Sequence, residues 1–462
     1  MTPSATASPG HGVRVLRNPT TIAGVVLTTV AALLFLAVVV LDALGFLRHA
    51  NPYIGIFVFI LLPAIFVVGL ALMPLGAWRE RRRLQRGLPA SLRTWPRLDL
   101  NHRRVRTVLF TVAVLTPVNL LIVALASVKS VEAVDSVSFC TQTCHEVMEP
   151  EATAHRNGPH AAVKCASCHI GPGPEWFVKA KLNGAHQVYG VLTNSHARPV
   201  PAPVEGMRTA FETCVQCHSP QRLRGEKPVS RREYASDEAN TESVTNLMIH
   251  VGGITPAGEA LGIHWHAAQQ HVVEYIALDR QRQQFGMIRH TKPNGEVTEY
   301  YAEAVTPEQL SAGERRRMDC LDCHNRAGHP FAPSGDAAVN ALLASNVVPR
   351  DLPFFKREAV AALEDVTSTS HDAVANRLTA FYRDSYPAVW RDRQDVVTRA
   401  AGAAQAIRDR NVFPGMKVGW GQYPDNLGHM SSPGCFRCHD ESHKSKQGKV
   451  ISQDCALCHE MQ

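Results

Sequence analysis

A chain of 462 residues with 48 Lys+Arg against 41 Asp+Glu carries a net charge of +7 and holds 12 cysteines. That length allows two or three domains and makes a disulfide scaffold unnecessary. The basic excess sits mostly in one loop, so it speaks to membrane orientation and gives no reason to expect a nucleic-acid partner.

The first predicted element is an apolar run at residues 20–47, interrupted only by Asp42 and longer than the roughly 20 residues that cross a bilayer. A secretory signal is the competing reading, but its apolar core spans only about 7–15 residues. A second run covers 53–77 and contains Pro63 and Pro74, which membrane helices tolerate. A third covers 105–128. Between the second and third runs lies an Arg-rich cytoplasmic loop, 78–104. The stretch 79–106 that contains most of it has ten Arg against two acids, and positive-inside bias places it in the cytoplasm. The N-terminus is then cytoplasmic, in keeping with Arg14 and Arg17. Residues 1–129 form a membrane domain of a bacterial inner membrane, and everything after 129 lies on the periplasmic side.

All 12 cysteines follow that point and fall into six pairs, each closed by a histidine. Five are regular C-x-x-C-H: Cys165/Cys168/His169, Cys214/Cys217/His218, Cys320/Cys323/His324, Cys435/Cys438/His439 and Cys455/Cys458/His459. The sixth, "FCTQTCHEVMEPE" at 139–151, has three residues between Cys140 and Cys144 and then His145. C-x-x-C-H is the attachment signal of c-type haem: the thiols form thioethers to the vinyl groups and the histidine becomes the proximal iron ligand. Structural zinc needs four ligands and gives no reason for a histidine after every pair. The pattern therefore predicts six covalently bound c-type haems, on the oxidising side of the membrane where such proteins mature.

The predicted fold class is mainly α with much irregular structure: three N-terminal transmembrane helices followed by an exported multihaem cytochrome c domain. Residues 130–225 form a three-haem domain. Residues 226–319 are a haem-free linker and helical segment, with the later half of "LGIHWHAAQQHVVEYIALDRQRQQF" read as an amphipathic helix. Residues 320–462 form a C-terminal three-haem domain, with helical patterns around "PFFKREAVAALEDV" and "AVWRDRQDVVTRAAGAAQAIRD".

The second axial ligand decides whether an iron passes electrons or binds a substrate. His160 and His429 lie just before a motif, and His329 and His443 just after one. His264 and His266 sit in a segment with no motif of its own. These six are the candidate distal ligands; His271, in the same segment as His264 and His266, and His186, His196 and His371 are further candidates within the exported region. Met148, three residues after His145, is a candidate thioether ligand for the first haem, and packing is its plain alternative.

The stretches "FCTQTCHEVMEPE", "NGPHAAVKCASCHIGPG", "FVKAKLNGAHQVYGVL" and "CVQCHSP", following a membrane helix, resemble the NapC/NirT family of membrane-anchored multihaem cytochromes c over about residues 105–220. The C-terminal pieces look like a longer branch of that group. The resemblance implies oxidation of membrane quinol and delivery of electrons to exported reductases. It places the first haem (Cys140, Cys144, His145, Met148) at the quinol pocket, with Lys179 or Lys181 beside it, and makes His160 an axial ligand. The chain departs from the family in having three predicted helices, six sites and a widened first motif.

The expected function is a membrane-anchored hexahaem cytochrome that takes electrons from quinol at its first haem and relays them to a periplasmic redox protein. One alternative is an electron-wiring subunit joined to other subunits of a respiratory complex, without its own quinone site. Another is a reductase with an open haem, whose family signal C-x-x-C-K does not occur in this chain.

Overall fold

The computed structural model describes residues 18–43, 61–89, 101, 103–143, 145–170, 174–204, 207–219, 222–254, 260–267, 271–365 and 371–462. Two compact units divide the chain, Met1–Thr143 and Cys144–Gln462.

The first unit holds three helices long and apolar enough to cross a membrane: α1 (Pro19–Ala43), α2 (Leu62–Gln85) and α3 (Arg103–Val134). α1 and α2 pack backbone to backbone through small residues, the way helices associate where lipid removes the hydrophobic drive. A Cβ at Gly24 would stand 2.7 Å from the Gly69 carbonyl oxygen, and one at Gly76 2.5 Å from Asn18 Oδ1. Thr21 Oγ1 donates to the Met73 carbonyl at 3.2 Å, one residue before Pro74. The second helix differs from the expected 53–77. Residues 53–60 lie outside the described residues, and the helix runs on through Arg79–Arg83 into the stretch read as a loop. Arg, Glu, Leu and Gln are all strong helix formers, and Arg82 stacks on the Trp78 ring at 3.9 Å. Residues 44–47 of the first predicted run are likewise outside the described residues, and α3 extends beyond the predicted 105–128 at both ends.

The second unit opens with α4 (His145–Arg156) and α5 (Pro174–Leu192). Residues 226–319 then correct the sequence reading: where a linker and amphipathic helix were expected, two antiparallel sheets form. β1 (Gly225–Tyr234) and β2 (Glu242–Ile254) make a ribbon that β3 (Ala260–Leu261) and β9 (His459–Met461) extend along β2. A second sheet has the order β7-β4-β5-β6-β8, from β4 (Val272–Ala277), β5 (Phe285–Thr291), β6 (Val297–Tyr301), β7 (Glu314–Arg317) and β8 (Lys444–Ser445). The physical reason is local. "VVEYI" is β-branched and aromatic, with Val273, Tyr275 and Ala277 buried at alternate positions. The polar residues after it form a turn in which Asp279 Oδ1 accepts from the backbone of Gln283 and Gln284. The core of this sheet joins Val273, Tyr275, Phe285, Ile288, Tyr300 and Met318, with Trp265 packed against it.

Between the two C-terminal motif regions a helical module forms from α6 (Gly335–Ala344), α7 (Phe355–Glu364), α8 (Ala373–Ser385) and α9 (Pro387–Asn411). Its core repeats at helical spacing, Val374/Leu378/Tyr382 facing Val397/Ala401/Ala404. The tip of the β1–β2 ribbon is locked into this module. Asn240, 1% exposed and at φ +47°, donates to the Arg350 and Leu352 carbonyls at 2.9 and 2.8 Å and accepts from Lys356 N at 2.7 Å. Asparagine is among the few non-glycine residues that tolerate such a φ.

His443 belongs to this framework rather than to an iron. Its ring is 3% exposed, and its nitrogens face two oxygen acceptors, Asp440 Oδ1 at 2.9 Å and the Phe285 carbonyl at 3.0 Å. Neither nitrogen has a lone pair directed at a metal, so closeness in sequence to His439 was misleading.

Two outcomes follow for the full chain in detergent, read by thermal unfolding and absorption. Asn240→Ala removes three buried hydrogen bonds and is expected to cost about 3 kcal/mol; an unchanged unfolding midpoint would show that the ribbon tip carries no stability. His443→Leu is expected to cost about 2 kcal/mol while leaving the visible spectrum intact, whereas an iron ligand would alter that spectrum.

Candidate haem-binding sites

Each regular motif sits on a single tight turn: Cys165–His169, Cys214–Gln216, Cys320–Cys323, Gly434–Arg437 and Cys455–Leu457. Residues three apart on such a turn share a face, so both thiols point the same way. The following histidine is drawn in by an i to i+4 backbone bond, as His218 N to Cys214 O at 2.8 Å, His324 N to Cys320 O at 2.8 Å and His439 N to Cys435 O at 3.0 Å. Asp319 and Asp454 start their turns by accepting from Leu321 N and Ala456 N. Among the described residues, 11 cysteines are free of disulfides.

The motif histidines do not stand alone. The rings of His169 and His329 have centres 6.1 Å apart, His218 and His160 6.0 Å, and His324 and His264 6.3 Å. His439 and His266 are 5.8 Å apart, and His459 and His429 6.2 Å. An imidazole nitrogen binds a metal at about 2 Å and lies about 1.1 Å from its own ring centre, so two imidazoles sharing one metal have centres about 6.2 Å apart. All five pairs fit a metal held between them, and the adjoining thiol pairs fit a covalently attached macrocycle.

The outward nitrogens are fixed by backbone carbonyls. Nδ1 donates from His160 to Ala327 O (2.9 Å), His264 to Val251 O (2.8 Å), His266 to Ile263 O (2.9 Å), His329 to Glu151 O (3.0 Å) and His439 to Ser452 O (2.7 Å). A carbonyl only accepts, so Nδ1 carries the proton and Nε2 keeps its lone pair for a metal. Burial pushes His169, His266 and His324 below the usual imidazole range and His329 down to about 4. These rings are neutral at pH 7, the form that metals bind. His155 also lies 6.1 Å from His329, but its Nε2 is engaged by Val163 O at 3.0 Å.

Successive motifs adjoin. The thiol of Cys214 is near that of Cys320, and Cys168 is near Cys217, Cys323 near Cys435, and Cys435 near Cys458. Arg437, inside the fifth motif and 6% exposed, donates to Asp322 O at 2.6 Å, Arg282 O at 3.0 Å and Gly434 O at 2.8 Å. It ties the fifth motif to the fourth, whose Asp322 is itself held by the Tyr275 hydroxyl. The sequence reading passed over Arg437 and Asp322 as interchangeable x positions; the charges inside two otherwise apolar turns were the available signal.

Of the widened motif, Cys140 is half-buried in the helical turn Val137–Thr143, and Cys144 and the side chain of His145 lie outside the described residues. Met148 is half-buried on α4, one turn after His145. Glu151, on the same helix, is half-buried; desolvation pushes its carboxyl up, opposed by hydrogen bonds from the backbone and from the Tyr423 hydroxyl at 3.4 Å. Lys179 is exposed on α5, and the side chain of Lys181 lies outside the described residues. His271 and His290 bond to each other at 3.0 Å.

A family model described as NapC/NirT cytochrome c family, N-terminal region, matches residues 102–200. The cytochrome c-type protein ImcH of Geobacter sulfurreducens is 38% identical over 453 residues, covering 96% of this chain and 88% of that protein. No solved structure matches the chain. The histidine pairs, the thiol turns beside them and this relative over nearly the whole length agree, and the chain belongs to the NapC/NirT family of membrane-associated multihaem c-type cytochromes.

Proposed function

We propose that the protein oxidises membrane quinol at its first haem and relays the electrons to a periplasmic redox partner. It carries six covalent haems, attached through Cys140/Cys144, Cys165/Cys168, Cys214/Cys217, Cys320/Cys323, Cys435/Cys438 and Cys455/Cys458. His145, His169, His218, His324, His439 and His459 are the proximal ligands, and Met148 stands next to the first iron. The membrane is the bacterial inner membrane, with the Arg-rich stretch on the cytoplasmic side and the motifs outside.

The carrying observation is that each regular motif histidine faces a second histidine across the span of one metal. The bound iron supplies a one-electron ferric/ferrous couple, and an iron closed on both faces by imidazole passes electrons rather than binding substrate. This favours relay over the open-haem reductase. Quinol oxidation releases two electrons and two protons to leave quinone. Glu146, Glu149 and Glu151 are the candidate groups to receive those protons, and Lys179 and Lys181 share that role only as neutral amines. A second reading, a wiring subunit within a respiratory assembly, is favoured by one feature: the motif-free helical module 335–411 has its own apolar core and offers a rigid docking body.

Two measurements test the reading. Pyridine haemochrome assay of the denatured protein is expected to give six haems per chain, and Cys455→Ala with Cys458→Ala to give five. Anaerobic titration with a menaquinol analogue is expected to reduce a large haem fraction quickly, at least tenfold slower when Lys179 and Lys181 are both changed to Met. Full reduction by dithionite with none by the quinol would overturn quinol oxidation and favour the wiring subunit.

A further inference from the structure

The turn Ile263–Ala267 has no cysteine of its own, yet it presents a histidine to each of two motifs. His264 faces His324 of the fourth motif and His266 faces His439 of the fifth, at ring-centre distances of 6.3 and 5.8 Å. In a 3₁₀ turn successive residues step by about a third of a circle, so residues two apart point in different directions from one backbone. The turn is held on all sides. Its two histidines donate to Val251 O and Ile263 O. Trp265 N donates to Gly262 O at 3.0 Å, and the Trp265 ring packs at a tilt against His271 and His290, ring centres 4.4 and 4.8 Å away. Gly262 leads into the turn at φ +69°, where a Cβ would stand 2.5 Å from the His250 carbonyl oxygen.

The two pairs differ in orientation. The His264 and His324 planes are 6° apart, whereas those of His266 and His439 are 82° apart. An imidazole donates π density to the iron d orbital perpendicular to its plane. Parallel rings load one dπ orbital and split it from its partner; crossed rings load both alike and leave them nearly degenerate. The first arrangement gives a rhombic low-spin electron paramagnetic resonance spectrum, the second a single feature at large g.

We infer that the turn Ile263–Ala267 ligates two haems at once, the fourth through His264 with parallel planes and the fifth through His266 with crossed planes. The remaining pairs are His160 with the third motif, His329 with the second and His429 with the sixth. This rests on the motifs carrying haem, and the test separates the two ideas.

The experiment uses the oxidised full-length protein in detergent, with haem counted by pyridine haemochrome. His266→Met is expected to remove one large-g component, and His264→Met one rhombic component, each adding the near-infrared sulfur-to-iron band of a His–Met haem with the haem count unchanged. Where a Met variant loses haem, the His→Gly variant with added imidazole is expected to recover the missing component. Gly262→Ala is expected to shift both components together, since it moves the common backbone. Unchanged spectra in both histidine variants at full haem count would overturn the assignment, as would loss of the large-g component on changing His264. Absence of covalent haem from the unaltered protein would overturn the functional reading with it.

Discussion

The fold of the second unit turns on one geometric demand: pairs of imidazole rings held about 6 Å apart, the span of one metal, where the two histidines are remote in sequence. The demand is met reciprocally. His329, which faces the second motif's histidine, is held by the carbonyl of Glu151 on α4, while His160, which faces the third's, is held by the carbonyl of Ala327. Segments 145–170 and 324–331 thus fix each other's histidines, and they approach closely: a Cβ at Gly158 would stand 2.9 Å from Pro330 Cδ. A glycine is required there by distance, since the Pro330 ring cannot swing aside.

The β structure extends the same logic. β2 gives the Val251 carbonyl to His264 and pairs Ile249 with His459, so one strand touches the fourth and sixth sites. Its far end is clamped into the helical module by Asn240 and by Arg350 to Glu242 at 2.5 Å. The module has an apolar interior of its own, so the ribbon carries the rigidity of that core to the motif region. Buried Lys356, 1% exposed and paired with Asp336 at 2.6 Å, helps to set the angle at which the ribbon enters.

What could be read from the sequence followed what is local. Cysteine spacing is a property of single turns, and apolar runs long enough for a bilayer stand out in any window, so the motifs and membrane helices were legible. Five of the six candidate distal histidines face a motif ring because they lie near a motif or in a histidine cluster. Which ring each one faces was not legible, since His266 and His439 are far apart in sequence and their neighbours Trp265 and Cys438 meet on the core of the second sheet. The sheets were missed for two reasons. β1 is exposed on both faces over nine of its ten residues, which erases the alternation that betrays a strand. β4 is short, and "VVEYIALDRQRQQF" satisfies a helical pattern as well as a strand followed by a polar turn. His443 failed for the opposite reason, proximity without orientation.

If all five regular sites share the same two ligands, ligand identity cannot distinguish their potentials, and the protein must do so through surroundings. Burial disfavours the ferric form, which carries one more positive charge than the ferrous, and so raises the potential of a deeply enclosed site. A fixed guanidinium does the same. With haem bound, the second site, where His169 and His329 are desolvated and Arg326 is close by, and the fifth, with buried Arg437 inside its motif, would lie above the sixth, whose turn is at the surface. Ring orientation adds a further term that acts without changing any distance. If the turn Ile263–Ala267 ligates both haems, it sets that term oppositely for two adjacent sites from a single backbone, and a small rotation there would change their relative potentials while leaving both histidines in reach of iron.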